Sequence, residues 1–315
     1  MTTPEMLAGS AEPIATGTPA KQLTDELAEI YLAPKPTSLW RDAWYRLIRN
    51  KLAVAGGIFV IIMVLVGITA DWIMPFAYDK SSLSHANEAP GSVYLLGTDY
   101  IGRDILSRII YGARISLMVG LGAQVIVVFI GIPVGALAGY YGGKLDTYLM
   151  RAVDVMYAFP QLLFVFLLTT MLGAGLFNIL IAIGITEWVA LSRQVRAQVL
   201  SLREREYVKA ARVAGASGPY IIMRHLIPNT MTIIIVALTF GVPLAIFTEA
   251  TLSFLGQGIK PPIPSWGQMV GENQQYLRSY WHMTIFPALA LGLTMLSFTF
   301  FGDGLRDALD PRMNR

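Results

Sequence analysis

Few side chains in this sequence have the type and setting to do chemistry, and Glu187 is the sharpest. It lies beside Trp188 near the middle of the apolar run 176–195. An acid at the centre of a bilayer costs ~3 kcal/mol, so it marks a function by default. Either it lines a pathway and meets an amino end or a cation, or it is bonded to a neighbouring helix. Glu249 stands near the outer end of the run 226–255 and is a second pathway candidate, with helix packing as its other reading. Asp154 reads as an interfacial or packing group. Catalytic sets are missing. The three histidines, His85, His225 and His282, are far apart, with no H-E-x-x-H, and no cysteine offers a thiolate, so no metal site is expected. There is no G-x-S-x-G elbow, and no G-x-x-x-x-G-K-[ST] loop to hold a nucleotide.

The second chemical feature is the polar, basic stretch 204–229, EREYVKAARVAGASGPYIIMRHLIPN, set between two apolar runs. The spacing predicts a short helix over about 203–216, a turn, and entry into the next helix. Ser201-x-x-Glu204 has the capping-box pattern. Tyr207, Ala210, Ala211 and Ala214 share one face at i, i+3, i+4, i+7, and Arg205, Lys209 and Arg212 share another. Gly215 can take the left-handed cap, Gly218-Pro219 is turn chemistry, and Pro228 suits the first turn of a helix. A solvated basic loop needs no small-residue face, whereas a docking surface does.

These residues must be positioned by membrane helices. The chain is 54% hydrophobic and only 14% charged, against about 25% charged in soluble domains. Six apolar runs, 52–74, 115–141, 149–172, 176–195, 226–255 and 281–302, each reach the ~20 residues that cross a hydrocarbon core. The fold expected is therefore all-α and polytopic, with six transmembrane helices. Continuous runs of this length do not suit barrel strands. Arg41, Arg46, Arg49 and Lys51 before the first run, and the seven Lys and Arg residues from Arg193 to Arg224, belong inside. Both termini are then cytoplasmic, and the basic balance reflects topology rather than nucleic-acid binding. Residues 1–38 read as a disordered cytoplasmic tail with a short helix near Leu23–Tyr31, and residues 39–51 as a basic amphipathic helix with Trp40 and Trp44 on the membrane surface. Glycines 120, 122, 131, 135 and 139 allow close helix approach, and Pro133, Pro160 and Pro243 can kink spans.

The stretch at Lys209–Pro228 resembles the cytoplasmic "EAA" loop of bacterial ABC importer permeases. That pattern is Glu-Ala-Ala, three residues, Gly, nine residues, Ile, one residue, Leu-Pro. Ala210, Ala211, Gly215 and Pro228 match it, while Lys209 replaces Glu, His225 replaces Ile and Ile227 replaces Leu. The form Tyr-Val-x-Ala-Ala-Arg…Arg-His-x-x-Pro-Asn is similar to the dipeptide/oligopeptide/nickel branch. So are Leu96-Gly-Thr-Asp-Tyr-Ile-Gly-Arg-Asp, Glu249-Ala-Thr-Leu-Ser-Phe-Leu-Gly, Pro261-Pro-x-Pro-Ser-Trp-Gly and Gly302-Asp-Gly-Leu-Arg-Asp-Ala-Leu-Asp-Pro-Arg. The resemblance runs from about residue 40 to the C-terminus.

It implies the inner-membrane permease subunit of an ATP-driven importer of di- or oligopeptides, with nickel or another small solute as the alternative cargo. It implies a second homologous permease, two ATPase subunits that hold ATP and magnesium, and an extracytoplasmic binding protein. It also implies that Glu206, Tyr207, Ala210, Ala211, Arg212, Gly215, Ala216, His225 and Pro228 couple this chain to an ATPase. From another class, a stand-alone secondary transporter or channel would use Glu187 as its ion site, but no inverted repeat between halves is evident. An intramembrane enzyme lacks any recognisable catalytic set.

Overall fold

The computed structural model describes residues 39–173 and 175–310. The expected tail 1–38 and its short helix lie outside them. The chain divides into two units, Met1–Asp42 and Ala43–Arg315. Of the first unit only 39–42, the opening turn of a helix, are described.

Ten helices are labelled here: α1 (Leu39–Arg49), α2 (Lys51–Ile68), α3 (Ile105–Tyr141), α4 (Gly143–Ala158), α5 (Gln161–Leu172), α6 (Leu176–Leu202), α7 (Glu206–Val213), α8 (Ile227–Phe254), α9 (Trp266–Asn273) and α10 (His282–Leu309). Short helical turns at Gly218–Ile221 and the π-helical Ile222–Leu226 run straight into α8. The described residues contain no strand. This is what hydrocarbon requires of apolar sequence, since each backbone N–H must be bonded within its own segment. Five helices are long and apolar enough to cross a membrane unbroken: α2, α3, α6, α10, and α8 counted from Gly218.

The third run departs from expectation. It is no continuous span over 149–172, because α4 and α5 meet at 87°. Pro160 has no N–H to donate and disfavours helical backbone at Phe159, so the helix breaks there. Alone, the 12 residues of α5 cover only ~18 Å. The pair counts as a sixth span only if the bend is included.

Several helices also outrun their apolar runs. Asp104 caps α3 by accepting from the backbone N–H of Ser107 at 2.8 Å, so that helix begins ten residues before the expected Ile115. Helix α6 continues to Leu202 and absorbs Ser201 into its last turn. The expected capping box at Ser201 and Glu204 therefore does not form. Glu204 instead pairs with Arg203 at 3.3 Å and Lys209 at 3.6 Å.

Helices α3 and α6 form the centre of the bundle. Gly131, Gly135 and Gly139 lie one turn apart on α3. A Cβ on Gly131 would meet the carbonyl oxygen of Trp188 at 3.0 Å, one on Gly139 that of Arg196 at 2.9 Å, and one on Gly135 that of Ser192. The two backbones approach as closely as small residues permit. Buried Val127, Leu191, Val195 and Val199 fill the seam.

At the end of the bundle away from the basic stretch, the segments before α3 and after α8 fold into one cap. Arg103 Nε donates to Asp99 Oδ2 at 2.5 Å and Arg103 Nη2 to Glu272 at 3.3 Å. Arg108 lies 3.5 Å from Glu272 and 3.8 Å from Asp99. All but Glu272 are buried, so the cluster is held by mutual pairing, and losing one partner would strand a charge. Tyr100 stacks on Tyr276 at 5.6 Å. Burial first, and then the Glu272 carboxylate, raise its phenol above the ordinary range. Trp266 is fully buried and donates its indole N–H to the carbonyl of Ile109 at 3.0 Å.

Candidate functional site: a coupling face and an intramembrane cavity

The basic end carries α7. Its packing side is Val208, fully buried with Ile221, Ile222, Leu226 and Val195. Ala211 and Ala216 pack on the same cluster. The helix ends in a Schellman arrangement: Ala216 N–H donates to Ala211 O at 3.0 Å and Gly215 N–H to Arg212 O at 3.1 Å. Gly215 adopts φ +83°, the left-handed value expected of it. Two hydrogen bonds and one core side chain thus fix a helix of two turns.

What remains outward is Glu206, Tyr207, Lys209, Ala210, Arg212, Val213 and Ala214. Val213 is 90% exposed and Tyr207 42%. The small-residue face is real but differs from the expected one, because Ala211 turns inward beside Val208 and Val213 joins the outward side. Arg212 reaches back over the Tyr140 ring at 5.4 Å. His225 sits between the rings of Tyr207 and Tyr220, at 6.2 and 5.9 Å. Pro228 opens α8, where its missing N–H costs nothing.

Three arginines tie the base of α6 to its neighbours. Arg196 makes a forked pair with Asp146, at 2.5 and 2.6 Å, Arg193 donates to Asp154 at 2.6 Å, and Arg203 donates to the carbonyl of Gly139 at 2.9 Å. Read from sequence as topological charge, they also brace the helix that leads into α7.

Glu187 opens onto a cavity of about 1210 Å³ lined by α3, the α4–α5 bend, α6, α8 and the end of α10. The residue is 9% exposed. Gln124 Nε2 of α3 donates to its Oε2 at 3.1 Å, and Gln161 Nε2 of α5 to its Oε1 at 3.5 Å. Gly241 leaves the room in which the Gln124 amide lies. Neither glutamine stands out in the sequence, where each is one neutral polar residue within an apolar run.

Glu249, the other pathway candidate, is elsewhere. It is 0% exposed and lines no part of this cavity. Its Oε1 accepts from the hydroxyls of Ser253 and Ser265, both at 2.7 Å. Ser265 also caps α9 by accepting from Gln268 N–H at 3.1 Å. Glu249 is thus a tie between α8 and the outer cap.

Comparison with known proteins places this architecture. Residues 131–315, more than half the chain, match the family model described as binding-protein-dependent transport system inner membrane component. The chain belongs to that family. Residues 38–90 match the N-terminal transmembrane domain of oligopeptide transport permease C. The chain is 44% identical to the dipeptide transport system permease protein DppC of Bacillus subtilis over 88% of its length and 87% of the relative's. It is 42% identical to the oligopeptide transport system permease protein OppC of Haemophilus influenzae, over 93% and 94%. It is 40% identical to the glutathione transport system permease protein GsiD of Pectobacterium atrosepticum, over 87% and 91%. Among solved structures, an inward-facing MetNI methionine ABC transporter has a chain similar at TM-score 0.51 and 18% identity, covering 65% of this chain and 98% of that one. That likeness concerns the fold. The protein is a membrane-spanning permease subunit of an inner-membrane ABC transporter, a family whose members work with an ATPase and further subunits. This displaces the stand-alone transporter, channel and intramembrane-enzyme readings.

Proposed function

We propose that this permease carries short peptides into the cell as one of two homologous permease chains, set above two ATPase subunits and loaded by an extracytoplasmic binding protein. The chain would supply the pathway and the lever. ATP and magnesium would reside in the ATPase subunits. Three relatives at 40–44% identity are named for dipeptides, oligopeptides and glutathione, a tripeptide, and these share peptide chemistry.

The observation that carries the mechanism is the outward face of α7, a two-turn helix that exposes Ala210, Val213 and Ala214 beside a Tyr207 ring turned toward His225. Docked in a cleft of an ATPase, it would move with that subunit. Motion would pass through Val208 and the π-helical turn into α8, and through the arginine-braced base of α6, rocking the cavity between its two openings. A ligand-driven step of this kind needs only that ATP bind one state better than the other. In this arrangement the basic end and both termini face the cytoplasm, and α1 lies along the membrane surface with Trp44 and Ile48 exposed beside its arginines.

The test is uptake by proteoliposomes holding the purified complex, with binding protein and ATP. Labelled trialanine should accumulate saturably, and omission of ATP or binding protein should abolish it. Accumulation of nickel or another solute with no peptide uptake would overturn the peptide assignment.

A further inference from the structure

The cavity offers a charge pattern that a peptide's two ends would read differently. We infer that Glu187 is the contact for the ammonium group at the amino end of a peptide in transit, and that glutamines aligned below it bond the peptide backbone whatever its side chains. The inference rests on the peptide-importer reading above.

Three charged residues line the cavity: Glu187 on α6, and Arg306 and Asp310 together at the end of α10. The Glu187 carboxylate has two amide donors and, among the described residues, no cationic partner. The two arginines nearest along α6, Arg193 and Arg196, are already committed to Asp154 and Asp146. A carboxylate held by neutral donors alone keeps capacity for a cation, and a mobile cation would relieve the cost of holding it in this setting. An ammonium group brings three N–H donors and no acceptor, so it fits a carboxylate.

Below Glu187 on the same face of α6 come Gln194 and Gln198, at i+7 and i+11, and both line the cavity. From 187 to 198 the helix rises ~16 Å, the length of about five extended residues. Each glutamine amide both donates and accepts, as a peptide bond does. Such a row binds backbone without reading sequence. Arg306, which shares the end of α10 with Asp310, would take the terminal carboxylate of the longer peptides.

The experiment uses the assembled complex. Equilibrium binding of trialanine and of N-acetyl-trialanine to the detergent-solubilised transporter, without binding protein, is measured by titration calorimetry for wild type, Glu187→Gln and Glu187→Asp. Proteoliposome uptake of trialanine is run alongside. Wild type should prefer the free-amino peptide by about tenfold or more, the range of a charge-assisted hydrogen bond. Glu187→Gln keeps the shape and removes the charge, with one partner glutamine flipping its amide to accept from the new NH2, so it should bind both peptides alike. Glu187→Asp should retain a reduced preference. Should Glu187→Gln keep the wild-type preference while wild type still imports trialanine, the inference falls and the peptide importer stands. Should wild type neither bind nor import trialanine, both fall. Melting curves of each complex show whether a loss reflects binding or folding.

Discussion

Val213→Asp should leave the permease folded and inserted yet cut ATP-driven uptake by about tenfold or more. Val213 is 90% exposed and takes no part in the core below α7. A substitution there should shift the chain's own stability by no more than about 0.5 kcal/mol. In the assembled transporter the same position would be covered by an ATPase subunit. Placing a carboxylate in a desolvated contact costs ~2 kcal/mol or more, the scale of an interface hot spot. The measurement is paired. Thermal stability of the solubilised permease should match wild type, while co-purified ATPase and uptake both drop. Gly215→Val acts on the same helix by another route: a branched residue is strained at φ +83°, although nothing within 4 Å of that Cβ crowds it. Its loss would come from loosening the Schellman end.

Gly135→Val should fail at the level of the fold. The added Cβ would press on the carbonyl oxygen of Ser192, and the neighbouring contacts, Val195 Cβ at 2.8 Å and Arg196 N at 3.1 Å, leave it no direction to move. Backbone cannot yield as a flexible side chain can, so α3 and α6 must part. Overpacking of this kind costs about 3 kcal/mol. Parting them would also loosen the braces from Arg203 to Gly139 and from Arg196 to Asp146. The readout is the temperature at which detergent-solubilised permease loses its monodisperse peak, expected to fall by many degrees or to leave no folded protein. Gly292→Val is the comparison. That glycine also lies within a long apolar helix, α10, but nothing stands within 4 Å of its Cβ position. It should be nearly silent.

Much of the architecture was legible in the residues because hydrophobic runs report where hydrocarbon lies. They do not report where a helix ends. Asp104 starts α3 ten residues above its apolar run, and α6 carries its helical turns past Val195 to Leu202. That continuation turned Ser201 from an expected cap into an interior residue. The break at Pro160 was visible as a kink-capable proline, but its 87° consequence depended on α4 being polar enough to leave the span.

The outward face of α7 was half legible. Helical spacing placed Ala210 and Ala214 outward and made Gly215 the cap. Spacing alone could not say that Ala211 would join Val208 in the core, since that choice is made by the apolar residues of 221–226 packing from beyond the turn. The acids show the same limit. Sequence flagged Glu187 and Glu249 alike, as carboxylates in apolar runs. Only tertiary contacts separate them. Ser253, one turn along α8, and Ser265 from the outer cap close over Glu249, whereas two glutamines from α3 and α5 leave Glu187 facing open space. The i+7 and i+11 spacing of Gln194 and Gln198 from Glu187 was a readable signal of a polar stripe.

In the proposed mechanism α7 would seat in an ATPase subunit and move with it. The chain has no cysteine, so Val213→Cys gives a single reactive site. The direct measurement is cross-linking of that thiol, with a short bis-maleimide, in the assembled complex whose ATPase carries its own surface cysteines at the facing cleft. A permease–ATPase adduct should form in high yield, and the thiol should be protected from a soluble maleimide only when the ATPase is present. A Val213→Cys thiol that is alkylated equally fast with and without the ATPase, and gives no adduct in a complex that still transports, would contradict this seating.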